Sequence, residues 1–348
     1  MDKISFGIQH GTNFSFLSYK VEDVLKSVEL VDKLGYQSTF VMDHLNMFPR
    51  RAEVPGIFTL LGAIAAKVKN LRVGPLVTEP HRRHPAQIAL EMATLHRLTK
   101  GKAICCIGAG EGMNIVNFNV PWDKPVTRLE EAIQVIKKLW SSNPKNKVNF
   151  EGSYFNLSNA YLQFPLEHPP SLWIGANSPR TINLAAKFAD GWIPTGCTPN
   201  LYKKRLEQIK KFGRIDQIEK AYEIFIAVDK KNPEWARNVI RPIGTIFTLK
   251  KEILKEFKIH FDENINFDYG LRLSLEEMAK FQQEMMAMYK TIPDEAIYSV
   301  TAAGSPEDVI EQLDKFIKAG VEHFAIEFLG KYWESLELFA KEIIPHFL

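Results

Sequence analysis

The sequence of 348 residues has little of several things, and each shortage removes a class of protein. Its three cysteines, Cys105 and Cys106 adjacent in an apolar run and Cys197 alone, make neither a disulfide framework nor a spaced zinc site, which points to a reducing, intracellular setting. No apolar run approaches the roughly 18 residues that span a bilayer, and the opening MDKISFGIQHG lacks the basic and apolar regions of a signal peptide. A net charge of +3 gives no case for nucleic-acid or membrane partners. No repeat, low-complexity tract or linker divides the chain, and no GxSxG elbow offers a nucleophilic serine. The expectation is a soluble, cytoplasmic protein folded as one domain over 1–348.

What the chain does contain is a strand running into a glycine-rich turn. Residues 102–114 read KAICCIGAGEGMN: an apolar run over 103–107, as in a strand buried on both faces, then Gly108, Gly110 and Gly112 around one carboxylate, Glu111. Glycines at a strand end let a ligand approach the backbone closely, although a plain tight loop reads the same way. Apolar periodicity predicts strands over 3–10, 37–44, 71–78, 103–107, 171–176, 191–195, 221–228 and 323–328, with helices between them. Thr127 and Glu130 read as a capping box for a helix to Trp140, residues 148–157 as a surface hairpin, and residues 232–298 as a long irregular insertion or lid with helical patches. Eight strand and helix repeats predict a closed (β/α)8 TIM barrel with an insertion after the seventh strand. A doubly wound sheet would carry its dinucleotide fingerprint after the first strand, whereas these glycines follow the fourth and are spaced GxGxG.

Barrel sites are built at the carboxyl ends of the strands. Those ends hold Gln9 and His10, Asp43 and His44, Thr78, Gly108 to Asn114, Ala176 to Ser178, and Thr195. Asp43-His44 reads either as a satisfied polar pair or as an acid and base. Glu111, if desolvated over an apolar barrel, would have a raised pKa and exchange a proton. The run HRRH at 81–84 lacks a third ligand for a metal; it reads as a solvated basic loop or, functionally, as an anion anchor. Ser178-Pro179 opens a helix whose free amides would favour a phosphate.

These residues carry a resemblance. VMDHLNMF at 41–48, GPLVTEPHRRHP at 74–85, ATLHRLTKGKAICCIGAGEGMN at 93–114, NFEGSYFNL at 149–157 and WIGANSPRTINLAAKFADGWI at 173–193 resemble the bacterial luciferase-like flavin oxidoreductases. Within them the match is to the branch that uses the deazaflavin coenzyme F420: methylenetetrahydromethanopterin reductase, the secondary alcohol dehydrogenase and the glucose-6-phosphate dehydrogenase. The resemblance implies a homodimeric (β/α)8 barrel holding coenzyme F420, with His44 and Glu111 as catalytic residues. It implies Asp43, Pro75, Leu76, Thr78, Gly110, Asn114, Ala176, Asn177, Ser178, Arg180 and Thr181 around the cofactor, and a non-proline cis peptide in a bulge at Pro75-Leu76. Gln9, Phe48 and Thr195 would face the substrate.

Three departures bear on the substrate. Thr198 and Ser299 stand where the sugar-phosphate enzyme would present a lysine and an arginine, and Phe48 replaces a tryptophan. Gln9 occupies the position of a glutamate that handles a proton in the pterin reductase, and an amide cannot donate a carboxyl proton. The chain is therefore read as a coenzyme F420-dependent oxidoreductase acting on a 5,10-methylenetetrahydropterin. The alternatives are an FMN-dependent luciferase-like monooxygenase and a non-catalytic flavin-binding homologue.

Overall fold

Every one of the eight expected strands forms, and neighbouring strands pair in parallel. The computed structural model describes residues 4–10, 20–46, 53–260, 272–287 and 289–348. The strands in chain order are β1 (Ser5–His10), β2 (Ser38–Val41), β3 (Arg72–Pro75), β4 (Ile104–Ile107), the surface hairpin β5 (Val148–Glu151) and β6 (Asn156–Ala160), β7 (Ser171–Gly175), β8 (Gly191–Ile193), β9 (Glu219–Val228), β10 (Ala302–Gly304) and β11 (His323–Phe328). The barrel runs β3-β2-β1-β11-β9-β8-β7-β4, and single bridges from Val73 to Ala103 and from Thr78 to Ile107 close it between β3 and β4.

Both faces of these strands are buried because each faces a different apolar layer. Phe40, Ile104, Cys106, Trp173, Ile193, Ala221 and Ala325 fill the barrel interior. Phe6, Ile8, Val73, Cys105, Ile107, Ile174, Ile224 and Ile226 point outward into the helical layer. That layer consists of α1 (Val21–Lys33), α2 (Ile57–Lys67), α3 (Pro85–Leu98), α4 (Pro125–Trp140), α5 (Pro179–Phe188), α6 (Pro199–Lys210), α7 (Pro233–Thr248), α8 (Lys251–Glu256), α9 (Leu275–Ala287), α10 (Asp294–Tyr298), α11 (Pro306–Lys318) and α12 (Tyr332–Leu338).

Two local expectations change. Helix α4 starts at Pro125 behind Lys124 in the left-handed region (φ 41°), so Thr127 lies inside the helix and its capping box does not form. Proline suits a first helical position, and it moves the start ahead of the Thr-x-x-Glu signal. The described part of 232–298 is not irregular but holds four helices, and β10 follows it to pair with β9. Pro242 inside α7 interrupts the sequence signal, while Ala236, Ile240, Ile243 and Phe247 keep one face buried. Residues 261–271 and 288 of the insertion lie outside the described residues.

Candidate active site at the barrel mouth

The carboxyl ends of β2, β3 and β4 meet through three polar contacts. His44 Nε2 lies 3.6 Å from Glu111 Oε2, with the two side chains 13% and 35% exposed. The Asn114 side-chain oxygen accepts from the amides of Leu45 and Asn46 at 2.8 and 2.9 Å, tying the turn after β4 to the loop after β2. Thr78 Oγ1 donates to Asp43 Oδ2 at 2.6 Å. His44 and Glu111 are therefore brought together at the rim. Glu111 stands at the edge of the mouth with its side chain about a third exposed.

Asp43 sits deeper, and its partners change the reading of HRRH. Its carboxylate accepts from Arg83 at 2.5 Å and pairs with Arg82 at 3.2 Å, while Arg82 also donates to the Asp43 backbone carbonyl at 2.7 Å. Arg82 Nε donates to buried Glu79 at 2.5 Å. His81 Nε2 lies 3.1 Å from the carbonyl of Ala109 in the glycine turn, and His84 caps α3 by accepting from the Ala86 amide at 3.1 Å. The expected anion anchor is thus an internal brace that fixes the loop bearing His44. A low-dielectric site makes two arginines against two carboxylates a closed set. Among the described residues no group of three or more His, Cys, Asp or Glu side chains could hold a metal ion.

Between β3, β4 and β7, Val77 packs against two glycines. A non-proline cis peptide joins Leu76 to Val77, one bond beyond the expected bulge. Pro75 ends β3 and Leu76 belongs to the barrel interior, so Val77 is the side chain at the wall. A Cβ added to Gly108 or to Gly175 would come within 2.9 Å of a Val77 methyl. Gly110 holds φ +85°, and a Cβ there would come within 2.6 Å of Ile115. Val77, which the sequence reading passed over, is partly buried and packs against Gly108 and Gly175.

On the far side, Asn177 Oδ1 accepts from the Thr195 amide at 3.3 Å and from the buried Arg205 at 3.2 Å. Ser178 and Thr181 cap α5 reciprocally: Ser178 N donates to Thr181 Oγ1 at 3.1 Å, and Thr181 N to Ser178 Oγ at 3.3 Å. Two of the amides expected to be free for a phosphate are thereby occupied. Arg180 is exposed and reaches Thr127 at 3.4 Å. Ala176 does not face the mouth; its side chain is buried in the outer core and its carbonyl accepts from Trp192 at 2.9 Å. Phe48 lies outside the described residues.

The floor of the mouth carries side chains that the sequence reading passed over. Glu223 of β9 and Glu327 of β11 point inward beside Gln9 and Thr195. Gln9 Oε1 and Nε2, Thr195 Oγ1, Asn114 Nδ2 and both oxygens of Glu327 make no hydrogen bond of good geometry among the described residues. Each such buried group costs about 1–3 kcal/mol, which a ligand would return. Lys250, from the insertion, donates to the Thr195 carbonyl at 2.7 Å. A flat ring with a polar edge fits this geometry: the valine-and-glycine wall offers a face, and the orphaned amide and hydroxyl atoms offer partners for ring carbonyl and N–H groups.

Residues 6–323 match the family model described as luciferase-like monooxygenase. The chain is 28% identical to a phthiodiolone/phenolphthiodiolone dimycocerosates ketoreductase of Mycobacterium tuberculosis, over 97% of each chain. It is 27% identical to a 5,10-methylenetetrahydromethanopterin reductase of Archaeoglobus fulgidus, over 98% of this chain and 99% of the relative. It shares its fold with the coenzyme F420-dependent tetrahydromethanopterin reductase of Methanopyrus kandleri (TM-score 0.79, 20% identity, 99% and 100% covered). With a family model spanning almost the whole barrel and the expected strands all in place, the chain belongs to the luciferase-like monooxygenase family.

Proposed function

We infer that the protein is a coenzyme F420-dependent oxidoreductase that moves a hydride between the deazaflavin and a 5,10-methylenetetrahydropterin. The observation that carries this reading is the His44–Glu111 pair, 3.6 Å apart at the rim of a mouth lined by orphaned polar atoms. Full-length similarity to a methylenetetrahydromethanopterin reductase supports the pterin substrate. When bound, the deazaflavin supplies the hydride chemistry, and the protein supplies position and proton handling. His44, with Glu111 beside its ring, orients and polarises the reacting nitrogen or oxygen. Asp43, held by Arg82, Arg83 and Thr78, fixes the loop that carries His44. Gly108, Gly175 and Val77 give the ring its flat wall, and Asn177, Ser178, Arg180 and Thr181 lie toward its phosphate end. Residues 232–298 act as a lid over substrate, and the protein works as a cytoplasmic homodimer.

A second substrate class, a ketone, is favoured by one observation. Gln9 stands at the floor where the pterin reductase would place a carboxyl, and similarity to a ketoreductase is equally long. The test is a fluorescence titration of the purified protein with oxidised F420 and, in parallel, FMN. Reduced F420 is then offered with methylenetetrahydromethanopterin, methylenetetrahydrofolate and simple ketones. Binding of F420 and its reoxidation by a methylenepterin is the expected result. Reoxidation by ketones alone moves the substrate to the second class. Preference for FMN with oxygen uptake overturns the hydride-transfer reading.

A further inference from the structure

We propose that Glu223 is a further catalytic residue of this site, supplying the proton that accompanies hydride transfer, with Glu327 behind it as a positioning residue. This rests on the hydride-transfer reading above. Glu223 lies at the middle of β9, where its amide donates to the Pro194 carbonyl at 3.1 Å and its backbone bridges to Thr195. Its register partner on β11 is Ala325, whose methyl leaves room for the carboxyl, and Glu327 follows two residues later on the same face. Protein surrounds Glu223, yet its side chain keeps partial access to the mouth. The groups that face it are Gln9 of β1, Thr195 after β8, Glu111 of the glycine turn, Glu327, Lys250 and, one layer below, Cys106.

Those neighbours keep a proton on the floor at neutral pH. Burial, reinforced by the Glu111 charge, pushes Glu223 up to about 7 against the pull of Gln9, Thr195 and Lys250. Burial and the Glu223 charge push Glu327 well above the carboxylate range, so it remains protonated. A carboxyl poised near the working pH is what general acid catalysis needs. Gln9 cannot donate a carboxyl proton, but its amide lies beside an acid two strands away, on β9, that can.

The step balances for either substrate class, with the reduced deazaflavin as the hydride donor that becomes oxidised. For a ketone, hydride adds to the carbonyl carbon and the π pair moves to oxygen; the Glu223 O–H bond breaks and the alcohol O–H bond forms. For a methylenepterin, the bond from the bridging carbon to one nitrogen breaks, and that nitrogen keeps the pair and takes the Glu223 proton. Hydride then completes the methyl group. Either way Glu223 is left as a carboxylate and is reprotonated from water at the mouth.

The test begins without cofactor. Difference infrared spectra of the wild-type protein, recorded from pH 5 to pH 9, should show a protonated carboxyl band that titrates near neutrality. Glu223→Gln should abolish it, and Glu111→Gln should move its midpoint to lower pH by removing a neighbouring negative charge. With reduced F420 and substrate, Glu223→Gln should slow single-turnover hydride transfer by about 10²–10³-fold and remove its high-pH limb, with F420 affinity unchanged. Glu223→Asp should recover part of the rate with a displaced limb, and Glu327→Gln should move the limb while keeping most of the rate. No band near neutrality, or an unchanged rate and pH profile in Glu223→Gln, overturns the proposal. Failure of the wild type to bind F420 overturns the proposed function and this step together, whereas an abolished band with an unchanged rate overturns the proton role alone.

Discussion

The two ends of the barrel are built from the same strands and treat charge in opposite ways. On β9, Glu219 and Glu223 lie four residues apart on one face; on β11, His323 and Glu327 do the same. At the closed end, Arg72 grips Glu219 with two hydrogen bonds of 2.8 and 2.9 Å, and Ser38 Oγ meets His323 Nε2 at 2.9 Å. Trp173 stacks between the Arg72 guanidinium, 5.0 Å from its ring, and the edge of His323. Burial raises Glu219, but Arg72, His323 and Lys220 outweigh it and leave the carboxyl below its ordinary value. At the open end no arginine acts on Glu223 or Glu327 among the described residues, and burial leaves both raised. An arginine-paired carboxylate closes the barrel, whereas the carboxyl at the open end is held raised by its burial.

Variants can break this contrast, and the largest effect belongs to the open end. Glu111→Gln should lower turnover by about 10²–10⁴-fold by removing the acid-base partner of His44, with the unfolding midpoint unchanged; unaltered turnover with cofactor bound would remove Glu111 from the mechanism. Next comes the closed end. Arg72→Met strands Glu219, and because both side chains are a little over a quarter exposed the loss should be on the order of 2 kcal/mol. Urea unfolding measures it, and turnover per folded molecule should stay near wild type.

The third prediction concerns pH and has opposite signs for the buried histidines and for Glu223. Burial lowers His323 to about 4 and His10 to about 3, so both are neutral in the fold. Their stabilisation is complete above the unfolded histidine value of 6.5 and is lost as pH falls toward 4 and 3. Glu223, raised from 4.5 to about 7, stabilises the fold below 4.5 and loses that contribution as pH rises to 7. Glu223→Gln should therefore match wild-type stability near pH 4.5 and exceed it by about 1–3 kcal/mol at pH 8. Equal denaturation midpoints at both pH values would show that the carboxyl is not desolvated. The smallest effect is expected from Ser38→Ala, which removes one buried hydrogen bond to His323 and should cost about 1 kcal/mol.

The sequence by itself determined the barrel and half of its mouth. Continuous apolar runs such as Ile104–Ile107 can be buried only between two apolar layers, so alternation of strand and helix already implied closure. His44 and Glu111 were legible because each ends its strand in a polar tip or a glycine turn. What only the tertiary structure decided is where charge lands when eight strand ends converge. Asp43, read with His44 as a strand-end pair, and HRRH, read as a basic loop or anion anchor, form one ion-pair brace, since Arg82 and Arg83 are about forty residues from Asp43 in sequence yet in contact with it in space. Glu223 and Glu327 are single carboxylates within the apolar runs 221–228 and 323–328, and nothing in those runs marks them out. The two-residue period of a strand says that they share a face, but not which face closes inward or which strand lies alongside. That register sets Arg72 beside Glu219 and leaves Glu223, four residues above, without an arginine among the described residues, so the same residue type becomes a structural ion pair at one end and, as proposed, a proton carrier at the other.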